Sequence, residues 1–370
     1  MLNIGIIGAG KIVQSAYLPG FSPKNSELSQ TEIPWYAFGG CENARMVSLC
    51  GKNIDEAREF AARFNIPTVT ENWQDVVNDE KIDAVCIATP NYLHSEISIA
   101  AANAGKHVLV EKPISVTLEQ ADAMIDAAEN NNVFLMVEQT FRFLPIVELA
   151  RQMIQSGMLG KILSVKSKFG TPGPDMWAPG SDWFFSPNHA GYGTFLDVGI
   201  HAVDLTRYII NQKVNQVFAF GSTLIKDINM DDNSISIWKF ADGALGVIEA
   251  SWTSIFEISV IVNAEKGLMK MQFGDQRPLS LQPATGSFTE KISTQDGTTE
   301  FMGIKGTFEN GIFYPDIPDK FPYDGPFQYF IDCILNKTKP MVSGEEGRLA
   351  LQLVLAGYES MKNQSIISFD

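Results

Sequence analysis

Apolar residues in the first 140 positions fall into short unbroken runs that alternate with helix-spaced patterns. The first run is Ile4, Ile6 and Ile7. It leads into Gly8-Ala9-Gly10 and then a helix predicted from Lys11 to about Leu18, ended by Pro19-Gly20. Runs of the same kind lie at 46–50, 84–88, 107–110 and 133–137. Between them, helical spacing covers 53–65 (Ala57, Phe60, Ala61, Phe64), 94–104 and 117–130. Continuous short apolar runs belong to strands covered on both faces, and their alternation with helices predicts a parallel sheet. Beyond residue 140 the pattern changes. Strand-like segments at 162–169, 214–220, 234–240, 245–252, 257–263 and 267–272 follow one another, and Asp242-Gly243 marks a hairpin. This predicts a mainly antiparallel, open sheet with one covered face. Helices over 327–335 and 345–361 and a strand over 366–369 close the chain, while 275–326 is too irregular to assign. The fold class is therefore α/β, with a first domain over 1–140 and an α+β domain over 141–370.

Composition narrows the function classes. The net charge of -15 leaves little basic surface to neutralise phosphates along a groove, which argues against nucleic acid. The four cysteines have no C-x-x-C spacing, and Cys50 and Cys86 sit in apolar runs, which suits buried free thiols rather than zinc or disulfides. With no leader before the first strand and no apolar stretch of bilayer length, the expectation is a cytoplasmic protein without membrane partners.

Strand, glycine turn and helix at residues 2–18 form the context of a dinucleotide fingerprint. Gly8 supplies the tight turn, Gly10 lets backbone approach a pyrophosphate, and Lys11-Ile12 open the helix that faces the anion. Val13 stands where the pattern wants a third small residue. The alternative is an ordinary βα turn that binds nothing. The second strand ends Cys50-Gly51-Lys52, with no carboxylate before Asp55 to hold a ribose 2′-hydroxyl. That leans toward NADP over NAD, with Lys52 either as phosphate partner or as a solvated lysine. Segment 22–45 is too long for a simple βα connection and reads as an insertion. Thr89-Pro90-Asn91 and Glu111-Lys112-Pro113 follow two buried strands, where ligands gather in open α/β sheets. In the second half, Gly191 to Asp204 holds a glycine-rich approach followed by Asp197, His201 and Asp204 on one helical face. A carboxylate beside an imidazole suits a general base, and equally a pair that staples a helix. The aromatic loop 170–192, with Trp183, either grips a ring-shaped ligand or packs on the sheet. Arg142 is a candidate substrate contact.

Taken jointly, Gly8-Ala9-Gly10-Lys11-Ile12, Thr89-Pro90-Asn91 with His94, Glu111-Lys112-Pro113 and Gly193 to Asp204 resemble the Gfo/Idh/MocA family, in order and over essentially the whole chain. The resemblance implies an N-terminal Rossmann domain and a C-terminal domain for substrate binding and oligomerisation, with substrate between them and a homodimer or homotetramer. It implies an NAD(P)-dependent oxidoreductase that moves hydride between nicotinamide and a hydroxyl carbon of a sugar, inositol or related polyol. In that likeness Lys112 holds the substrate oxygen, His201 takes its proton and Asp197 orients the imidazole. Thr89, Pro90, Asn91, His94 and Glu111 then border the cofactor. Two other readings stay open. One keeps NAD(H) tightly bound and uses transient oxidation for elimination or glycoside cleavage. The other is a non-catalytic dinucleotide-binding sensor, which loss of Lys112 or His201 would favour, and both are present.

Overall fold

The computed structural model describes residues 1–24, 26–27, 40–284, 292–293, 299–301, 303–318 and 323–369. It divides into two compact units: residues 1–143, 177–191 and 322–352, and residues 144–176, 192–321 and 353–370. Neither unit is continuous in sequence. Two segments from beyond the expected boundary at 140 thus belong with the first unit.

Six parallel strands form the sheet of the first unit: β1 (Leu2–Ile7), β2 (Ala44–Cys50), β3 (Thr68–Thr70), β4 (Ala84–Ile87), β5 (His107–Glu111) and β6 (Leu135–Glu138). Their order, β3-β2-β1-β4-β5-β6, is that of a doubly wound dinucleotide fold, with its switch point between β1 and β4. Ile4, Ile6, Ala84, Val85, Cys86, Ile87, Val108, Leu109 and Val110 are wholly buried, as the unbroken apolar runs predict. The helix after β1 differs from expectation. It contains a π-helical turn, Val13–Tyr17, and continues as α1 (Leu18–Gly20) through the two residues expected to end it. The Leu18 N–H bonds back five residues to the Val13 carbonyl, a wider turn that accommodates Pro19, which has no N–H to give. Gly20 serves packing, since a Cβ there would come within 2.2 Å of the Phe327 ring.

Four further helices accompany these strands. Helix α2 (Ile54–Arg63) is capped by the Asn53 side chain, and α3 (Trp73–Val77) follows β3. Helix α4 (His94–Asn103) ends before Gly105 at φ 75°, and α5 (Leu118–Asn130) is capped by Thr117. Of the 22–45 insertion, residues 25 and 28–39 lie outside the described residues. Its ends are tied by a Cys41 N–H to Ser22 carbonyl bond of 2.8 Å and by Lys24 to Asp324 at 2.7 Å.

In the second unit, α6 (Pro145–Gln155) precedes β7 (Ile162–Gly170), and α7 (Pro174–Trp177) leads back to the first unit, which holds α8 (Pro187–Ala190). After the chain returns come α9 (Thr194–Asp197), α10 (Gly199–Ile210), β8 (Val214–Ser222), β9 (Asn233–Phe240), β10 (Leu245–Ser251), β11 (Glu257–Ala264) and β12 (Gly267–Gln272). The irregular stretch after 275 supplies β13 (Leu279–Pro283), β14 (Ile292–Ser293), β15 (Thr299–Phe301), β16 (Ile304–Glu309) and β17 (Ile312–Pro315). Helices α11 (Pro326–Asn336) and α12 (Gly344–Asn363) and strand β18 (Ile367–Ser368) complete the chain. Among the described residues these strands make one twelve-stranded sheet, antiparallel except where β10 runs parallel to β7. On β9, Ser234, Ser236, Trp238 and Phe240 are buried while Ile235 and Ile237 are exposed, the alternation of a half-covered sheet. No helix among the described residues is long and apolar enough to cross a membrane.

Candidate active site

The first cluster sits at the carboxyl ends of β1, β4 and β5. Gly8 turns the chain at φ 118°, and a Cβ on it would strike the Ala88 carbonyl at 2.3 Å. Only glycine fits there. Gly10 is exposed, and its missing side chain leaves open space with no atom within 4 Å, a cradle that a ligand's phosphates can enter. Lys11 is exposed beside it and Ile12 half-buried, at the start of the helix whose N–H groups favour an anion. Gly51 has a steric reason for being glycine: a Cβ would lie 2.7 Å from that of Ala9 and 3.0 Å from that of Ala57. The position where an acid would hold a ribose is thus closed to side chains, and exposed Lys52 follows it.

At the end of β4, the Thr89 hydroxyl is buried without a hydrogen-bond partner within the protein. A buried orphan hydroxyl beside the switch point fits a polar ligand group. Together with Gly8 and the open side of Gly10, it meets what a dinucleotide requires. Asn91 donates its amide to the Ala190 carbonyl at 3.2 Å, and Tyr92 packs on His189 with ring centroids 4.9 Å apart. These contacts anchor residues 177–191 to the β4 turn. Within that segment Trp183 stacks on Phe184 at 3.9 Å.

Two expected cofactor neighbours are committed to internal partners. His94 is fully buried, with Nδ1 2.8 Å from the Pro113 carbonyl and Nε2 2.9 Å from the Thr89 carbonyl. It clamps the turns after β4 and β5. Burial, and to a lesser degree Lys112, hold its pKa below the ordinary imidazole range against the pull of the two carbonyls. A neutral ring donates through one nitrogen only, so His94 hydrogen-bonds one of these two carbonyls at a time, and its buried ring packs between both turns. Glu111 is also buried, accepting from the Tyr17 hydroxyl and from the Lys112 N–H, each at 3.1 Å. Lys112 itself is half-buried at the strand end. Arg142, expected to reach substrate, is 2% exposed and ion-paired with Glu346 at 2.9 Å. Its guanidinium is occupied in holding α12, and a substrate role is not carried forward.

The second cluster lies in the other unit. The single helix expected from Leu196 is two, α9 and α10, joined at Val198. Gly193 serves the fold rather than an incoming ligand: a Cβ there would lie 2.2 Å from the Asp231 carbonyl. Asp231 and Tyr358 satisfy the first N–H groups of α9. Thr194 N–H donates to the Asp231 carbonyl at 2.9 Å, Phe195 N–H to its carboxylate at 3.0 Å, and Leu196 N–H to the Tyr358 hydroxyl at 3.1 Å. Burial pushes the Asp231 carboxyl up, opposed by hydrogen bonds from the Ser234 hydroxyl, the Phe195 N–H and the Tyr358 hydroxyl.

So held, α9 presents Asp197, which accepts from the Trp252 indole N–H at 3.0 Å. Trp252 is fully buried on the segment after β10. His201 stacks near-parallel on Phe169 of β7, centroids 5.8 Å apart. Asp197 and His201 are both part-exposed, whereas Asp204, one turn after His201 on α10, is buried. Sequence reasoning missed Tyr17, Glu138, Asp231, Trp252 and Tyr358. Each acts on a partner more than 25 residues away, and no local motif marks them.

Residues 2–139 match the model of an oxidoreductase family with an NAD-binding Rossmann fold, GFO_IDH_MocA, and residues 147–270 match the GFO/IDH/MocA C-terminal domain. The levoglucosan dehydrogenase of Pseudarthrobacter phenanthrenivorans is 33% identical over 276 residues, 68% of this chain and 67% of the relative. The myo-inositol 2-dehydrogenase of Thermotoga maritima is 26% identical over 336 residues, 89% and 92% of the two chains. A solved structure of levoglucosan dehydrogenase in complex with NADH and levoglucosan superposes with a TM-score of 0.78 at 25% identity, covering 100% of this chain and 99% of that one. With both of its halves matched in order, the chain belongs to the Gfo/Idh/MocA oxidoreductase family.

Proposed function

We propose that the protein is an NAD(P)-dependent dehydrogenase or reductase acting on a hydroxyl carbon of a sugar, inositol or related polyol. The observation that carries this reading is the β1 turn, where Gly8 is sterically required and Gly10 opens onto free space at the switch point of the sheet. The similar proteins named for levoglucosan and myo-inositol support the substrate class. Bound along Gly8, Gly10, Lys11, Ile12, Gly51, Lys52, Thr89, Pro90 and Asn91, with Glu111 and His94 behind them, the dinucleotide supplies the hydride acceptor or donor. His201 takes the proton of the substrate hydroxyl as general base, and Asp197 orients its ring. Lys112 stabilises negative charge as it develops on a substrate oxygen. Trp183 offers an aromatic face to the sugar.

Titration of the purified protein with NADH and NADPH, followed by nicotinamide fluorescence, tests the cofactor site. Saturable binding of one form is expected. If neither binds and denaturation releases no cofactor, the dehydrogenase reading fails. A screen of sugars and polyols then separates net turnover from transient oxidation on a tightly held cofactor, which leaves free NADH unchanged. The closed Gly51 position and exposed Lys52 support a preference for NADP. Lys52→Ala is accordingly expected to weaken NADPH about tenfold, through loss of one charge-assisted phosphate contact, and to leave NADH nearly as before. Equal effects on both would overturn the preference.

Phe220, Ile235, Ile237 and Leu245, between 45% and 64% exposed on neighbouring strands, support a homo-oligomer that covers this sheet face. Light scattering is expected to give the mass of a dimer or tetramer, and a monomer at all concentrations would refute it.

A further inference from the structure

We infer that Glu111 and Glu138 hold one proton between their side chains beside Lys112, and that this proton sets the local charge in which Lys112 works. The inference rests on Lys112 acting at the substrate oxygen, as proposed above. Strands β5 and β6 are parallel neighbours, and Glu111 is paired in register with Glu138, so both side chains leave the same face of the sheet. Strand spacing puts them about 5 Å apart at the backbone. Both are buried, at 9% and 3% exposure. Two ionised carboxylates that leave one sheet face from neighbouring strands, out of water, repel, and one proton is retained by the pair.

The surrounding groups fit such a pair. Glu111 accepts from the Tyr17 hydroxyl and the Lys112 N–H, which suits the ionised member. Thr140 Oγ1 lies 2.7 and 2.6 Å from the two oxygens of Glu138, and the Thr140 N–H donates to the same carboxyl at 3.2 Å.

Burial first, then the charge of Glu111, pushes Glu138 up to about 8, against the opposing effect of Thr140 and Lys112. Tyr17, on the π-helical turn, is driven well above its usual range by burial and by both carboxylates, so it remains a neutral donor. Cys86 of β4, which faces Tyr17, is raised by its own burial and stays a thiol. Lys112 is thus the cation that acts on Glu138, and Glu138 is a positioning residue that acts through it.

With the proton in place the two carboxyls carry one negative charge against the ammonium. When pH rises, a carboxyl O–H bond breaks, the proton goes to solvent, and a second negative charge appears next to Lys112. The ammonium then stabilises a developing alkoxide less well. Turnover is expected to fall roughly tenfold as pH rises through about 8, an effect in keeping with one screened charge at short range.

Infrared difference spectra of the full-length protein between neutral and alkaline pH, with kcat measured over the same range, test this. The wild type should show a protonated-carboxyl band that disappears as pH rises. Glu138→Gln should lack the band and lose the alkaline fall in kcat. Thr140→Val, which removes a donor that favours the ionised form, should move both transitions to higher pH. Absence of the band in the wild type, its survival in Glu138→Gln, or an unmoved transition in Thr140→Val would overturn the shared proton. An alkaline fall that persists in Glu138→Gln would overturn its link to Lys112. If Lys112→Ala turns over normally while the band behaves as described, the role of Lys112 has failed and not the pair.

Discussion

Replacing Lys112 by alanine is expected to lower kcat by about 10²–10³-fold, the range found when one preorganised donor to a developing oxyanion is removed. The dinucleotide should bind nearly as tightly as before, because the Gly8–Gly10 turn and the Thr89 hydroxyl lie on other strand ends. The backbone explains why this lysine is so placed. Lys112 follows the last residue of β5, its N–H is held by the Glu111 carboxylate, and Pro113 beyond it is tied through its carbonyl to the buried His94. An ammonium on a fixed stem delivers a compact charge, and arginine, with its planar fork, is not expected to restore the rate. Steady-state kinetics with the cofactor chosen by titration, beside fluorescence titration of the variant, check both halves. Unchanged turnover would remove Lys112 from the chemistry. A matching loss of cofactor affinity would make it a cofactor contact instead.

The parts of the molecule that were legible in the sequence are those whose signal is local. Ile4, Ile6 and Ile7 before Gly8 announce a covered strand and a tight turn because burial on both faces leaves no polar alternation. The short edge strand β3 and the helix α3 escaped notice, since Thr68–Thr70 is largely uncovered and five residues of helix carry little periodicity. The helix after β1 runs past its expected end at Pro19 because the Leu18 N–H reaches the Val13 carbonyl through a π-helical turn, which no local pattern announces. The joint at Val198 was equally hidden. It accompanies the close fit of Gly199, where a Cβ would come within 2.8 Å of the Phe195 ring and 3.1 Å of the Ala250 Cβ. Candidate chemistry followed the same rule. The candidates Lys112, Asp197 and His201 stand in local motifs, whereas the groups that touch Glu111 and Asp197, Tyr17 and Trp252, come from remote parts of the chain. Arg142 shows the converse case. A cation after the last strand looks available in sequence, and only the fold brings Glu346, 204 positions later, to occupy it.

His201→Ala is expected to lower kcat by about 10²–10⁴-fold and to abolish the rise of the oxidation rate with pH that a neutral imidazole base produces. The sign follows from the role: a base works unprotonated, so the rate climbs as pH passes its pKa, and without the ring that limb disappears. A flat or unchanged profile in the wild type and variant alike would remove His201 as the base. The Trp252 indole gives a finer test of how the pair is tuned. Its N–H donates to Asp197 at 3.0 Å from a fully buried position, which steadies the carboxylate and draws off part of its charge. Trp252→Phe keeps an aromatic ring there and removes only the donor. Asp197 should then present a stronger negative field to the imidazole, which favours the protonated ring. The midpoint of the pH–rate profile is expected to move upward, with a loss in kcat of about 10- to 100-fold from the relaxed orientation of Asp197, in line with roughly 1.5–3 kcal/mol for a hydrogen bond to a charged group. Loss of stability alone would lower the yield of folded enzyme and leave that midpoint in place. An upward shift therefore identifies Trp252 as part of the base's setting, and a fixed midpoint with normal kcat assigns it to the core of the second unit.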